Sequence, residues 1–152
     1  MNLEQKVPPV ILVFIFSALM FLIGQVTTYL NFEFGFRFEA FIIFVFIGVM
    51  FAVAGVASFK KQKTTVNPLN TDNVSALVTS GIYKYSRNPM YVGMLLCLVG
   101  FFVYIFNPLN IIFIVLFIWY MNKFQIKPEE RFLSTVFGKR YKEYTNNVRR
   151  WL

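Results

Sequence analysis

Histidine is absent from the 152-residue chain, and cysteine occurs once, at Cys97. Without histidine there is no Ser-His-Asp or Cys-His nucleophile, and the common zinc sites lose a main ligand, so no metal site is expected. A single cysteine excludes an internal disulfide. Charge is scarce as well: Asp, Glu, Lys and Arg make up 14% of the chain, against about 25% in an average soluble domain. Chemistry therefore has to run on carboxylates, Lys, Arg, Tyr, hydroxyls and whatever a cofactor brings.

What is abundant is hydrocarbon. Hydrophobic residues make up 57% of the chain and mean hydropathy is +0.59, which points to an integral membrane protein. The net charge of +8 would suggest nucleic acid in a soluble protein. In a membrane protein it marks cytoplasmic loops that face anionic lipid, so no nucleic-acid partner is expected.

The expected fold is all-α, with four transmembrane helices in a single domain over residues 1–152. The first apolar run, 8–30, is long enough to cross about 30 Å of hydrocarbon, and Pro8 and Pro9 stand at its start, where a missing N–H is harmless. It is too long for a signal-peptide core and no small-residue cleavage site follows, so it reads as a retained anchor. A short aromatic loop, 31–39, leads to the second span, 40–59. There Gly48, Ala52 and Gly55 form a stripe of small residues on which another helix can pack closely. The third span, 90–106, carries a matching stripe of Gly93, Cys97 and Gly100. Asn107-Pro108 breaks it sharply, and the fourth span, 109–124, runs straight back as a tight hairpin.

Lys60, Lys61 and Lys63 close the second span. By the positive-inside rule they make the 60–89 segment cytoplasmic, together with 125–152 and both termini. The localisation expected is multi-pass in the cytoplasmic membrane of a prokaryote. Two polar, aromatic segments then flank one hairpin and emerge side by side: VSALVTSGIYKYSRNPMY, from Val74 to Tyr91, and KPEERFLSTVFGKRYKEYTNNVRRW, from Lys127 to Trp151.

Gly81 permits a turn. Asn88-Pro89 fits the start of a helix, with Asn88 as N-cap, and a helix N-terminus at a membrane surface suits an anion. Equally, the tyrosines suit interfacial anchoring. Glu129 and Glu130 after Pro128 fit the first turn of a cytoplasmic helix, or a seat for a cationic ligand group. Phe137-Gly138 reads as a helix end, with Tyr141 and Tyr144 beyond it on one face. Arg149, Arg150 and Trp151 read as a basic, aromatic tail for the membrane interface. A ligand using all these groups has a carboxylate, a cation and a flat base; S-adenosylmethionine fits, though the chemistry alone does not single it out.

SALVTSGIYKYSRNPMYVG and EERFLSTVFGKRYKEYTNNVRRW resemble the superfamily of isoprenylcysteine carboxyl methyltransferases and phospholipid methyltransferases. The resemblance covers roughly residues 64–151 and implies a membrane-embedded enzyme that binds S-adenosylmethionine without a G-x-G-x-x-G loop, a pattern this chain lacks. It implies cofactor contacts through Ser75, Ala76, Leu77, Val78 and Tyr83, through Asn88, Pro89, Met90 and Tyr91, and through the carboxylate of Glu129. The family often has histidine where Asn88 stands. Its carboxyl methyltransferases place arginine where Gln125 stands.

The expected reaction is methyl transfer to a lipophilic acceptor drawn from the bilayer, most like isoprenylcysteine carboxyl O-methylation. A carboxylate acceptor is already ionised at neutral pH, and Arg87 or Lys127 is placed to orient it. An amine acceptor, as in phospholipid N-methylation, must first lose a proton, and Glu130 or a tyrosine is the local candidate to take it. An NADPH-dependent membrane reductase and a non-catalytic relative are also compatible with the residues.

Overall fold

The computed structural model describes residues 6–61 and 76–152, and every described element is helical or irregular. Five α-helices follow in order: α1 (Pro9–Val26), α2 (Arg37–Lys61), α3 (Pro89–Ile105), α4 (Ile111–Tyr120) and α5 (Lys127–Asn147). Among the described residues, three helical stretches are long and apolar enough to cross a membrane: α1, α2 and a rod from Pro108 to Asn147 that contains α4 and α5. Helix α3 is also apolar, at 17 residues.

Helix starts and stops follow local chemistry. Pro9 and Pro89 stand in the first turns of α1 and α3, where no helical N–H is needed. Thr27 ends α1 by turning its hydroxyl back onto the Ile23 carbonyl at 2.6 Å. Phe106 ends α3 in the left-handed region, at φ 46°, a conformation that strains a non-glycine residue by about 1–2 kcal/mol. Its N–H still reaches the Phe102 carbonyl at 2.7 Å, its carbonyl accepts from Phe32 N–H at 3.1 Å, and its ring sits against Phe32 and Phe34. Pro108 then prevents the helix from continuing.

The two stripes of small residues meet each other. A Cβ added at Gly48 would lie 2.6 Å from the Gly93 carbonyl oxygen and 2.8 Å from Cys97 Sγ; one at Gly93 would collide with the Gly48 carbonyl oxygen. Gly100 faces Phe41 and Phe44, and Gly55 faces Pro89 and Met90. Helices α2 and α3 therefore touch backbone to backbone. Lipid tails are as apolar as leucine, so close van der Waals contact rather than the hydrophobic effect holds such a pair.

Helices α1, α3 and α4 and the segment after α4 share the core of Leu12, Met20, Leu98, Phe117, Met121 and Ile126. At the hairpin turn a polar cluster pins α1 to the α3–α4 connection. The fully buried Asn107 donates through Nδ2 to the Thr27 carbonyl, to Thr27 Oγ1 and to Asn31 Oδ1, at 3.2, 2.9 and 2.7 Å. Its Oδ1 accepts from Leu109 N–H, and Asn110 Nδ2 donates to the Met20 carbonyl. Polar groups at such depth need internal partners.

The structure corrects the expected division between a fourth span and a separate helix starting at Pro128. Helix α4 runs without a break through a π-helical turn, Met121–Ile126, into α5. The Lys127 N–H bonds the Asn122 carbonyl, five residues back. The cause is Pro128: it offers no N–H to the Phe124 carbonyl and its ring crowds that oxygen, so the turn before it widens. Gln125 and Ile126 are thereby buried, and Gln125 Nε2 donates to the Val7 carbonyl at 2.7 Å. Gly138, at φ 50° and ψ −120°, kinks α5 where the sequence suggests a helix end, and the helix resumes to Asn147.

Replacing Gly93 by valine forces α2 and α3 apart and is expected to destabilise the protein by about 3 kcal/mol. Gly35→Ala, at a position with nothing within 4 Å, is the control with no effect. Asn107→Ala is expected to lose about 1–3 kcal/mol by leaving Thr27 and Asn31 acceptors unpaired. Thermal unfolding in detergent reads all three.

Candidate functional site

One end of the bundle gathers the start of α1, the end of α2, the start of α3 and α5. The chain enters it through an extended stretch, Ala76 to Thr79, with Val78 buried. Gly81, at φ 64°, opens a 3-10 turn, Gly81–Lys84, and its Cα face lies close to Ser58 of α2. That turn drives Tyr83 inward, where its ring meets the edge of Phe59 at 5.4 Å. The Tyr83 carbonyl accepts from the Tyr144 hydroxyl at 2.7 Å, so the two motifs touch.

Further contacts join them. The Tyr91 hydroxyl, in the first turn of α3, donates to Glu129 Oε1 at 2.5 Å. Arg87 N–H donates to the Arg149 carbonyl at 3.0 Å. The Arg150 carbonyl accepts from Asn88 Nδ2 at 2.8 Å and from Ser86 Oγ at 3.5 Å. Glu130 holds two guanidinium groups: Arg150 grips both its oxygens, at 3.0 and 2.6 Å, and Arg87 Nη2 lies 3.2 Å from Oε1.

The adjacent carboxylates thus have opposite surroundings. Glu130 is neutralised by two arginines. Among the described residues no cation pairs with Glu129, whose partner is the Tyr91 hydroxyl. Burial pushes the Glu129 carboxyl up to about 7; the Tyr91 hydrogen bond opposes this and the Glu130 charge adds to it. Neighbouring carboxylates with different partners can take separate tasks. The phenols of Tyr83 and Tyr144 are also raised by burial, and that of Tyr141 to about 12. They remain protonated at neutral pH, and that of Tyr144 donates to the Tyr83 carbonyl.

Of the residues expected to form the site, Ala76, Leu77, Val78, Tyr83, Arg87, Asn88, Tyr91, Glu129 and Glu130 lie at this end of the bundle, and Ser75 lies outside the described residues. Pro89 and Met90 turn their side chains onto Gly55 in the α2–α3 seam. Lys127 is exposed. Asn88 occupies the N-cap position, but its side chain makes no capping bond. The amide is drawn to the Arg150 carbonyl instead, and its own N–H is received by Ser86 Oγ at 3.1 Å. The segment 149–151 is not an interfacial tail: it folds back into the site, with Trp151 Nε1 on Asn122 Oδ1 at 3.2 Å and its ring against the core. Ser86, Arg150, Tyr144 and Asn122 join the site although no local pattern in the sequence marks them for it. Their partners lie tens of residues away.

The polar inventory fits S-adenosylmethionine. Glu129 is a half-buried carboxylate with no cation partner among the described residues, and Arg87 Nε is a buried donor with no hydrogen-bond acceptor, suited to a carboxylate. Tyr83 and Tyr91 add aromatic faces.

A rice sequence (Oryza sativa subsp. indica) described as a probable protein-S-isoprenylcysteine O-methyltransferase is 32% identical over 107 residues, 70% of this chain and 56% of the relative. Protein-S-isoprenylcysteine O-methyltransferase A of Arabidopsis thaliana is 30% identical over 107 residues, 70% and 54% of the two chains. An uncharacterized protein of Haemophilus influenzae is 40% identical over 63 residues, 41% of this chain and 100% of its own. The chain spans about half the length of the curated plant relatives it matches. No solved structure matches. The family model for phospholipid methyltransferase covers residues 36–140, from the start of α2 past both glutamates, and on that match the chain belongs to the phospholipid methyltransferase family.

Proposed function

We propose that the protein is an S-adenosylmethionine-dependent methyltransferase acting on a lipophilic acceptor at the membrane surface, most like isoprenylcysteine carboxyl O-methylation. The observation that carries this reading is Glu129: a half-buried carboxylate hydrogen-bonded to Tyr91, with no cation paired to it among the described residues while its neighbour Glu130 holds two. The curated relatives named for isoprenylcysteine O-methylation support the same activity. Four spans form one membrane domain, with α3 and α4 as the hairpin. Lys60 and Lys61 at the end of α2 put the site on the cytoplasmic side.

When bound, S-adenosylmethionine would supply an activated sulfonium methyl group for the acceptor oxygen, with a neutral thioether as leaving group. Glu129 would hold the positive part of the cofactor, and Arg87 Nε, a buried donor with no acceptor, would receive its carboxylate. Ala76, Leu77, Val78, Tyr83, Asn88 and Tyr91 wall the site. A carboxylate acceptor needs no general base, so alignment and the exclusion of water do the work. Glu130 keeps its two arginines, and Lys127 guides an anionic acceptor from the rim. Phospholipid N-methylation is the second reading, favoured by Gln125, whose amide is tied to Val7 and leaves no cation at that position.

Radiolabelled methyl transfer to prenylcysteine analogues, with none to phosphatidylethanolamine, is the result expected; the reverse selects the second reading. In calorimetry Glu129→Ala is expected to weaken S-adenosylmethionine binding about 10–100-fold, by loss of a charge-assisted contact. Unchanged affinity would remove Glu129 from the site.

The ionised form of Glu129 binds the cation, so affinity should rise with pH through about 7 and then level off, while Glu129→Gln binds weakly with no such step. The sign for stability is opposite. The folded carboxyl sits at about 7, above its ordinary 4.5, so the folded state binds more protons between these values and ligand-free stability falls as pH rises across them. Denaturant melts of Glu129→Gln should lack that fall, and above pH 7 the variant should exceed the parent.

A further inference from the structure

The segment Arg149 to Trp151 touches three parts of the site's frame. Two consecutive carbonyls, of Arg149 and Arg150, receive the Arg87 N–H and the side chains of Asn88 and Ser86. The Arg150 guanidinium grips Glu130 side-on. Trp151 reaches Asn122 in the π-helical turn. These contacts bind the loop before α3, the first turn of α5 and the end of the α4 rod into one unit. The ion pairs are largely shielded, with 14% of the Arg87 side chain, 19% of Glu130 and 32% of Arg150 exposed, so they are stronger than surface pairs.

We propose that residues 149–151 form a latch over the site and that Arg150 is its positioning residue, fixing Glu130 and the Ser86–Asn88 backbone so that Glu129 faces the ligand without a cation partner. Loss of the guanidinium leaves Glu130 with Arg87 alone. Its charge then bears more on Glu129, which is faced also by Tyr91 from α3, by Tyr83 from the 3-10 turn and by Tyr141 beyond the kink. Asn88 has a defined place here: its amide reads the Arg150 carbonyl, a role that needs no titratable ring.

The ligand half of this proposal rests on the cofactor reading above, and the latch half does not. Hydrogen exchange of the ligand-free protein in detergent tests the latch. Arg150→Gln is expected to speed exchange at the amides of Arg87 and Asn88 about tenfold or more, with α1 and α2 unchanged. S-adenosylmethionine should bind about tenfold more weakly, with the midpoint of its pH dependence moved upward. Arg150→Lys should recover part of both. Arg149→Ala, which keeps the carbonyl and alters an exposed side chain, should change neither.

Asn88→Ala is the second variant should Arg150→Gln fail to fold; it should loosen the same amides while leaving the Glu130 pair intact. Unchanged exchange at 86–88 in the variants that fold would overturn the latch. Should the parent fail to bind S-adenosylmethionine, the cofactor reading falls, and the exchange result still decides the latch.

Discussion

The contact between the Gly48 and Gly93 backbones sets where everything else can stand. In lipid there is no hydrophobic drive to press two apolar helices together, so a pair is held by how near its backbones come. The absence of side chains at Gly48 and Gly93, with Gly55 and Gly100 at the flanks, lets α2 and α3 close along their length. Pro89 and Met90 are seated on Gly55 by the same contact, which fixes where α3 begins. The loop before α3 and the Tyr91 hydroxyl are placed from there. A side chain in that seam would disturb a site well removed from it in sequence.

At the site, the decisive quantity is the allocation of charge. Two adjacent glutamates in one helical turn meet two arginines, and both arginines go to Glu130. That leaves a half-buried carboxylate whose ionisation lies near neutrality, the condition under which a group responds to a cationic ligand or to pH. The π-helical turn matters because it sets the rotation of α5 against α3. The same widening buries Gln125 against the start of α1, so α1 is tied to the site end by Val7 and to the far end by Asn107 and Asn110.

Much of the architecture was legible in the chain. Apolar runs bounded by proline and polar residues mark the helices. The two small-residue stripes predict close packing, and the Asn107-Pro108 break predicts the hairpin that brings the motifs together. The resemblance carried by the two motifs selects Tyr91 and Glu129, and these prove to be hydrogen-bonded. Less visible was the fate of 149–151. A basic, aromatic segment suits lipid by composition, and composition does not reveal that its carbonyls are wanted by donors more than sixty residues earlier. Asn88 shows the same limit, since its type fits a cap and its partner is elsewhere.

Patterns of hydropathy, proline and glycine act between near neighbours, so the helices, their breaks and the faces that admit close contact follow from the sequence. It also determined which residue types are available for chemistry, by the absence of histidine. Only the tertiary structure decided which glutamate keeps the arginines and which stays open, because Glu129 and Glu130 are identical as residues. Their difference comes from rotation about one helix axis and from an arginine twenty residues away.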